Sequence, residues 1–85
     1  MKLKTLMKNF DGSLVIFSGD YEKDEHHTLI ARVTCTESDT TYFLDDNFDT
    51  LGERLETANK VLDSMNLSIN KMYVNQDHKL VVFVK

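Results

Sequence analysis

The spacing of apolar residues changes along the chain, and the change separates predicted strands from a predicted helix. Two apolar runs, residues 3–10 and 13–18, flank Asp11-Gly12. This dipeptide tolerates the positive φ angles of a tight turn, so the pattern predicts a first β-hairpin. Because the second run is apolar on both faces of an extended chain, it predicts a strand in the interior of the sheet.

An alternating pattern follows between residues 27 and 36, where apolar side chains recur at every second position. The residues on this predicted buried face are Leu29, Ala31, Val33 and Cys35, and Ile30 is the exception. The pattern predicts a strand with one solvent-exposed face. Residues 40–44 are rich in threonine and aromatic side chains and predict a fourth strand after a turn, most simply in an antiparallel meander.

From Phe48 onward the apolar spacing becomes three and four residues, which places the side chains on one face of an α-helix. The stripe consists of Phe48, Leu51, Leu55, Ala58, Leu62 and Met65. We expect roughly 18 residues of helix, about 27 Å long, with this stripe packed across one face of the sheet. Asp46 or Asn47 is the predicted N-cap, and Asn66 suits the left-handed position that ends a helix.

The C-terminal part predicts a second hairpin, with strands at residues 68–74 and 79–85 and a turn at residues 75–78. Residues 80–84 are densely apolar, which predicts a strand near the centre of the sheet. The length of 85 residues fits one domain, residues 1–85. The predicted fold class is α+β, a mainly antiparallel sheet of five or six strands in the order ββββαββ with one amphipathic helix on one face.

The composition is typical of a folded protein, and the cysteine count and the N-terminal residues indicate its cellular compartment. Apolar residues make up 41% of the chain and charged residues 28%, as in globular domains. The single cysteine, Cys35, leaves no internal disulfide to form. Residues 1–10 lack the continuous apolar run that a signal peptide or a membrane span requires. We therefore expect a cytoplasmic protein that does not contact membranes.

Negative charge is concentrated in residues 37–56, which we call the acidic segment. It holds seven carboxylates and one base, a local charge of −6, whereas the whole chain carries −4. Its acids are Glu37, Asp39, Asp45, Asp46, Asp49, Glu53 and Glu56. A second patch consists of Asp20, Glu22, Asp24 and Glu25. Solubility and the helix dipole are one sufficient explanation of these acids, and a binding surface is the other.

Part of the acidic segment is similar to a calcium-binding loop. Asp45, Asn47, Asp49 and Glu56 occupy relative positions 1, 3, 5 and 12 of such a loop. Position 6, which needs glycine for a sharp turn, is Thr50, and the preceding segment predicts a strand where the calcium motif has a helix. We expect helix capping and solvated acids here, and no metal or cofactor.

The sequence offers no pattern for catalysis or for direct nucleic-acid binding. The three glycines are isolated, so there is no phosphate-binding loop, and no G-x-S-x-G pattern occurs. His26 and His27 are adjacent and would point to opposite faces of a strand, which does not suit a shared metal. The ten lysine and arginine residues are dispersed. We expect a protein that is not an enzyme and does not bind nucleic acid directly.

The leading hypothesis is a small non-catalytic protein that binds a larger protein through its acids. A carboxylate-rich surface attracts a basic groove and competes with the nucleic acid that such a groove would hold. The protein would act as an inhibitor and DNA mimic, by analogy of size and charge with phage-encoded anti-defence proteins and toxin-immunity proteins. Aromatic residues that would supply apolar anchors are Tyr21, Tyr42, Phe48 and Tyr73.

The alternative hypothesis is a structural or regulatory module that assembles with itself, for example as a homodimer, through a sheet edge or an apolar strand face. The acids would then only keep the assembly soluble. Salt distinguishes the two hypotheses, because association between charged surfaces slows steeply as salt rises and apolar or backbone pairing does not.

Overall fold

The computed structural model describes residues 1–21, 27–36 and 41–85, and these residues form two helices and a five-stranded sheet. In chain order the elements are α1 (Leu3–Asn9), β1 (Gly12–Ser18), β2 (Thr28–Thr36), β3 (Thr41–Leu44), α2 (Leu51–Ser64), β4 (Ile69–Val74) and β5 (Leu80–Val84). The α+β class is confirmed, but the element order is αβββαββ instead of the predicted ββββαββ. Neither helix in these ranges is long and apolar enough to cross a membrane.

The sheet is mixed, which corrects the prediction of a mainly antiparallel sheet. The strands lie in the order β3-β2-β1-β5-β4, and the central pair, β1 and β5, is parallel with Leu14 opposite Leu80. The other neighbouring pairs are antiparallel. β3 and β4 lie at opposite edges of the sheet, and α2 joins them in the chain. The β4–β5 hairpin then turns the chain back beside β1.

Several strand predictions are confirmed. The strands predicted to be interior, at residues 13–18 and 80–84, are the two central strands β1 and β5. The turn predicted at residues 75–78 joins β4 to β5. In that turn the side-chain oxygen of Asn75 accepts hydrogen bonds from the N–H groups of Asp77 and Lys79, at 2.9 and 3.0 Å. Local turn chemistry therefore fixes this hairpin.

The first segment forms a helix, and the prediction of a strand at residues 3–10 is wrong. Leu3 and Met7, one helical turn apart, are 0% and 5% exposed and pack into the core. The N–H groups of Leu3 and Lys4 donate to the carbonyls of Leu67 and Met65, each at 3.0 Å. These bonds satisfy the free donors at the start of α1, so a tertiary contact stabilises the helix where no side chain caps it.

Asp11-Gly12 joins α1 to β1 and is not the predicted hairpin turn. Gly12 has a φ of +145°, a conformation that side chains disfavour. A Cβ at this position would lie 3.3 Å from ring carbons of Phe10. The glycine is therefore needed for the entry into β1 and for the packing of Phe10.

Both helices pack on one face of the sheet, where most of the core lies. The buried residues of this main core are Leu3, Met7, Leu14, Ile16, Ala31, Val33, Cys35, Val61, Val82 and Val84. A smaller apolar cluster lies on the opposite, helix-free face and consists of Val15, Val81 and Phe83 with half-buried Phe17 and Leu29.

A β-bulge changes the alternation in β2. Ile16 pairs with Ala31 but Phe17 pairs with Leu29, so Ile30 is an extra residue on β2. Leu29 consequently packs on the helix-free face, and Ile30 packs against the main core. The prediction that Leu29 shares the face of Ala31 is wrong for this reason, whereas the rest of the alternating pattern is confirmed.

Candidate functional site

The three leucines of the predicted apolar stripe face solvent, whereas Met65 at its end packs against the main core. Leu51, Leu55 and Leu62, which we call the leucine stripe, are 72%, 56% and 57% exposed. The helix instead buries Val61 and Ser64. The prediction that the stripe packs across the sheet is therefore wrong for these three leucines, and it leaves an apolar surface uncovered on the described part of the protein.

The residues that α2 does bury are small. Val61 is fully buried in the main core, and the half-buried Thr57 and Ala58 lie on neighbouring turns. The hydroxyl of Ser64 is satisfied because it donates to the carbonyl of Lys60 at 2.8 Å. Small side chains let the helix pack closely on the sheet. Leu62 follows Val61 directly and lies about 100° further around the helix, so its side chain falls outside this contact.

The helix begins at a cap that resembles a capping box and that the sequence analysis missed. The Thr50 hydroxyl oxygen accepts from the N–H of Glu53 at 3.1 Å, and the Glu53 carboxylate accepts from the N–H of Asp49 at 3.2 Å. The predicted caps, Asp46 and Asn47, lie before the helix, so that prediction is wrong. The signal was present in the sequence as Thr-x-x-Glu at residues 50–53.

The predicted end of the helix is also corrected. The C-cap residue, Met65, is in the right-handed region, and its N–H donates to the carbonyl of Leu62. Asn66 is not in the left-handed conformation, because His78 is the one residue other than glycine with positive φ in the described ranges.

Two acids of the acidic segment hold the β3–α2 connection against β2. The hydroxyl of Thr34 donates to both carboxylate oxygens of Asp45, at 2.8 and 2.9 Å. Arg32 Nη1 donates to the carboxylate of Asp46 at 3.1 Å. Because both partners lie on β2, these acids have a structural role that is sufficient to explain them.

Three acids accompany the apolar positions at intervals of seven residues. Asp49, Glu56 and Asp63 each follow an apolar residue directly, and we call these three the acidic column. Seven residues are close to two helical turns, so Glu56 and Asp63 lie on one flank of the leucine stripe. Within the described residues, the carboxylates of Asp49 and Asp63 have no hydrogen bond or ion pair. Asp63 was missed by the sequence analysis, although the same spacing would have found it.

Glu56 is only weakly engaged. Its carboxylate lies 3.8 Å from Lys60 Nζ, in an ion pair whose side chains are 69% and 56% exposed. An exposed pair at this spacing contributes little to stability. The acidic column is therefore available for contacts outside the chain.

A shallow groove of about 410 Å³ lies at the start of α2, beside Leu51. Its lining residues are Asp46, Asn47, Phe48, Asp49, Thr50, Leu51 and Arg54. The groove combines the apolar surface of Phe48 and Leu51 with carboxylates. Phe48, one of the predicted apolar anchors, is thus placed next to the acids.

The other predicted anchors lie elsewhere. Tyr21 and Tyr73 pack on Phe83 at the helix-free face, with ring centroids 5.1 and 6.3 Å from it. His27 also packs on Phe83 at 4.7 Å. Tyr42 packs against the main core. Tyr21, His27 and Tyr73 therefore cover Phe83 on the helix-free face, whereas Tyr42 belongs to the opposite face.

Of the remaining predicted site residues, the structure describes only Asp20. Asp20 follows β1 and lies 4.0 Å from Lys85 Nζ, in an ion pair at the end of β5. The other five acids, Glu22, Asp24, Glu25, Glu37 and Asp39, lie outside the residues that the structure describes. The described part of the acidic segment, from Asp45 to Glu56, is continuous along the β3–α2 connection and the helix.

Metal and thiol chemistry gain no support from the geometry. No three His, Cys, Asp or Glu side chains converge on a metal-sized site in the ranges that the structure describes. Cys35 is fully buried, and burial, with a contribution from the Asp45 carboxylate, raises the pKa of its thiol from 9.0 to about 11. Burial also raises the pKa of Tyr42. A buried protonated thiol is a poor nucleophile, so Cys35 acts as a small apolar residue.

Comparison with models of known protein families, with curated proteins and with solved structures finds no match to this chain.

Proposed function

We propose that this protein binds a larger protein without catalysing a reaction, and that the leucine stripe and the acidic column form the contact surface. The observation that carries this proposal is the exposure of Leu51, Leu55 and Leu62 at 72%, 56% and 57% in one helical stripe. Isolated exposed leucines are ordinary, but an apolar stripe along one helix, bordered by charged residues, is typical of protein interfaces.

The apolar part of such a contact contributes substantially to affinity. The exposed fractions of the three leucines are equivalent to roughly two whole side chains, and burying these would contribute about 3–5 kcal/mol. A micromolar complex needs roughly 8 kcal/mol, so charge and further contacts must supply the remainder. The acids are suited to this because they also accelerate encounter with a basic partner.

The partner class follows from the charge of the surface. Between Asp45 and Asp63 there are six acids and two bases, a net charge of −4. We therefore propose that the protein occupies a basic surface of its partner and inhibits nucleic-acid binding there, because phosphates and carboxylates compete for the same cations. The leucine stripe has no counterpart in a phosphate backbone, so the contact would extend from the basic surface onto an adjoining apolar one.

Variants of exposed residues test this proposal. The protein and its Leu55→Gln and Leu62→Gln variants would be immobilised and exposed to lysate of the native host at low salt. Glutamine keeps the helix propensity of leucine, so the fold is retained. Phe43→Thr is the matched control, because Phe43 is 60% exposed on β3, away from the stripe.

The supporting result is a protein that is captured by the unmodified chain and by Phe43→Thr, lost with both glutamine variants, and released by salt. The captured protein should also lose bound oligonucleotide when the unmodified chain is added. If capture were indifferent to the glutamine variants, the stripe would not be the contact surface and the proposal would be wrong.

Self-assembly is the second candidate, and the exposed edge strand β4 favours it. This strand lies at one edge of the sheet, and all its residues except Ile69 are exposed. Unpaired edge groups can form backbone hydrogen bonds with another chain. Sedimentation velocity at low and high salt tests this candidate, because a dimer that persists unchanged at high salt would favour edge pairing over an electrostatic contact.

A further inference from the structure

The spacing within the leucine stripe indicates the shape of what covers it. Leu51, Leu55 and Leu62 are separated by four and seven residues, the spacing with which one helix packs along another. From the first leucine to the last the stripe extends about 16 Å along the axis, or three helical turns. A second helix laid alongside presents side chains at the same intervals, so it would contact all three leucines together.

The charges beside the stripe indicate the chemistry of that helix. On one flank lies the acidic column, and on the opposite flank the single charged residue of α2 is Arg54. A helix with lysine or arginine along one side of its apolar face would place cations against Asp49, Glu56 and Asp63. At the start of α2, the groove beside Phe48 would receive a lysine or arginine stem with its charged end near Asp49.

A second copy of this chain is a poor occupant of the same face. In an antiparallel two-fold pair of α2 helices, the same flank of each helix lies on the same side, so the two acidic columns would face each other. In a parallel two-fold pair each acidic column would face a flank whose one cation is Arg54. Both arrangements bring together surfaces of net charge −4, and like charges across an interface oppose association.

We infer that the leucine stripe is the docking site for a basic amphipathic helix of the partner protein. This inference rests on the proposed function and specifies the element of the partner that is bound.

A synthetic peptide tests the inference on the whole protein. The probe is a fluorescent helix of about 18 residues, long enough to be helical, with leucines spaced three and four apart, lysines on both flanks and alanine elsewhere. One control peptide has the same residues in scrambled order, and the other has glutamate in place of lysine. Fluorescence anisotropy at low salt measures binding.

The expected result is binding of the amphipathic basic peptide, with affinity lowered about tenfold by Leu55→Gln or by Leu62→Gln and unchanged by Phe43→Thr. The scrambled and glutamate peptides should bind at least about tenfold more weakly. Equal binding of the scrambled peptide would overturn the inference, because attraction would then be a matter of charge alone. Thermal melts of each variant confirm that the fold is retained.

Two further results would overturn the inference and are distinguishable from failure of the proposed function. If the peptide did not bind but capture of a host protein still depended on Leu55 and Leu62, the stripe would bind an element other than a basic helix. If the protein alone sedimented as a dimer that Leu55→Gln dissociated, the occupant would be a second copy. The proposed function itself fails when capture is independent of the stripe.

Discussion

Val61 and Leu62 are adjacent on α2 but lie in opposite environments, and replacing each by alanine measures which way the helix is turned. Val61 is 0% exposed and Leu62 is 57% exposed. Val61→Ala removes two buried methyl groups at about 0.8 kcal/mol each, and the cavity left behind adds to this cost. The better helix propensity of alanine offsets a few tenths, which leaves a loss of about 2 kcal/mol.

Leu62→Ala removes one carbon more than Val61→Ala but should cost less. Since over half of Leu62 is in solvent, the change should lower the free energy of unfolding by at most about 1 kcal/mol. The expected order is thus the reverse of the order of side-chain size. For a domain of this length, about 2 kcal/mol corresponds to a decrease in Tm of roughly 8–16 °C.

Urea unfolding followed by circular dichroism measures both variants against the unmodified protein. Small domains usually unfold in one cooperative step, and an unchanged dependence on urea would show that the midpoint shift reports stability. If Leu62→Ala were the more destabilising variant, by the roughly 2–5 kcal/mol of a buried leucine, the stripe would face the sheet. The proposed contact surface would then be wrong as well.

Three other changes test separate parts of the structure. Thr50→Ala should cost about 1 kcal/mol in urea unfolding because it removes the acceptor for the Glu53 N–H, whereas Thr50→Ser should cost much less. Gly12→Ala should lower Tm, since the φ of +145° strains any side chain and the new Cβ would press on Phe10; an unchanged Tm would contradict the assigned conformation. For Cys35, whose pKa rises from 9.0 to about 11, the unfolded thiol ionises first. The protonated, buried thiol therefore stabilises the fold fully below pH 9, and this contribution is lost as pH rises to about 11. Cys35→Ala should lose less stability than the unmodified protein over that interval. Equal dependence of stability on pH in the two proteins would refute the burial of the thiol.

The elements that local chemistry decides were predictable from the sequence. Alternation identified β2, a continuous apolar run identified β5, and the polar turn after Val74 identified the last hairpin. The α1 segment was mispredicted, because Asp11-Gly12 suggested a hairpin, although its apolar residues, Leu3, Leu6, Met7 and Phe10, have the spacing of a helix face. Its helix depends on carbonyls of residues 65 and 67, more than fifty positions away. The parallel pairing of β1 and β5 likewise depends on long-range topology.

The α2 helix illustrates a different limit. Its apolar period was read correctly, and the helix is present over Leu51–Ser64. Periodicity reveals that an apolar stripe exists, but it does not reveal what covers the stripe. In this protein the small side chains around Val61 pack on the sheet, so the larger leucines remain exposed to solvent.

The acids divide into those with hydrogen-bond or ion-pair partners inside the protein and those beside the leucine stripe. By sequence density, the centre of the acidic segment is the pair Asp45 and Asp46, yet both have partners on β2. Glu53 is used in the helix cap. The acids left beside the leucines are spaced seven residues apart and include Asp63, which lies beyond the acidic segment. Because a bound carboxylate must give up its partner before it can meet a new one, recognition should depend on this sparse acidic column more than on the dense pair.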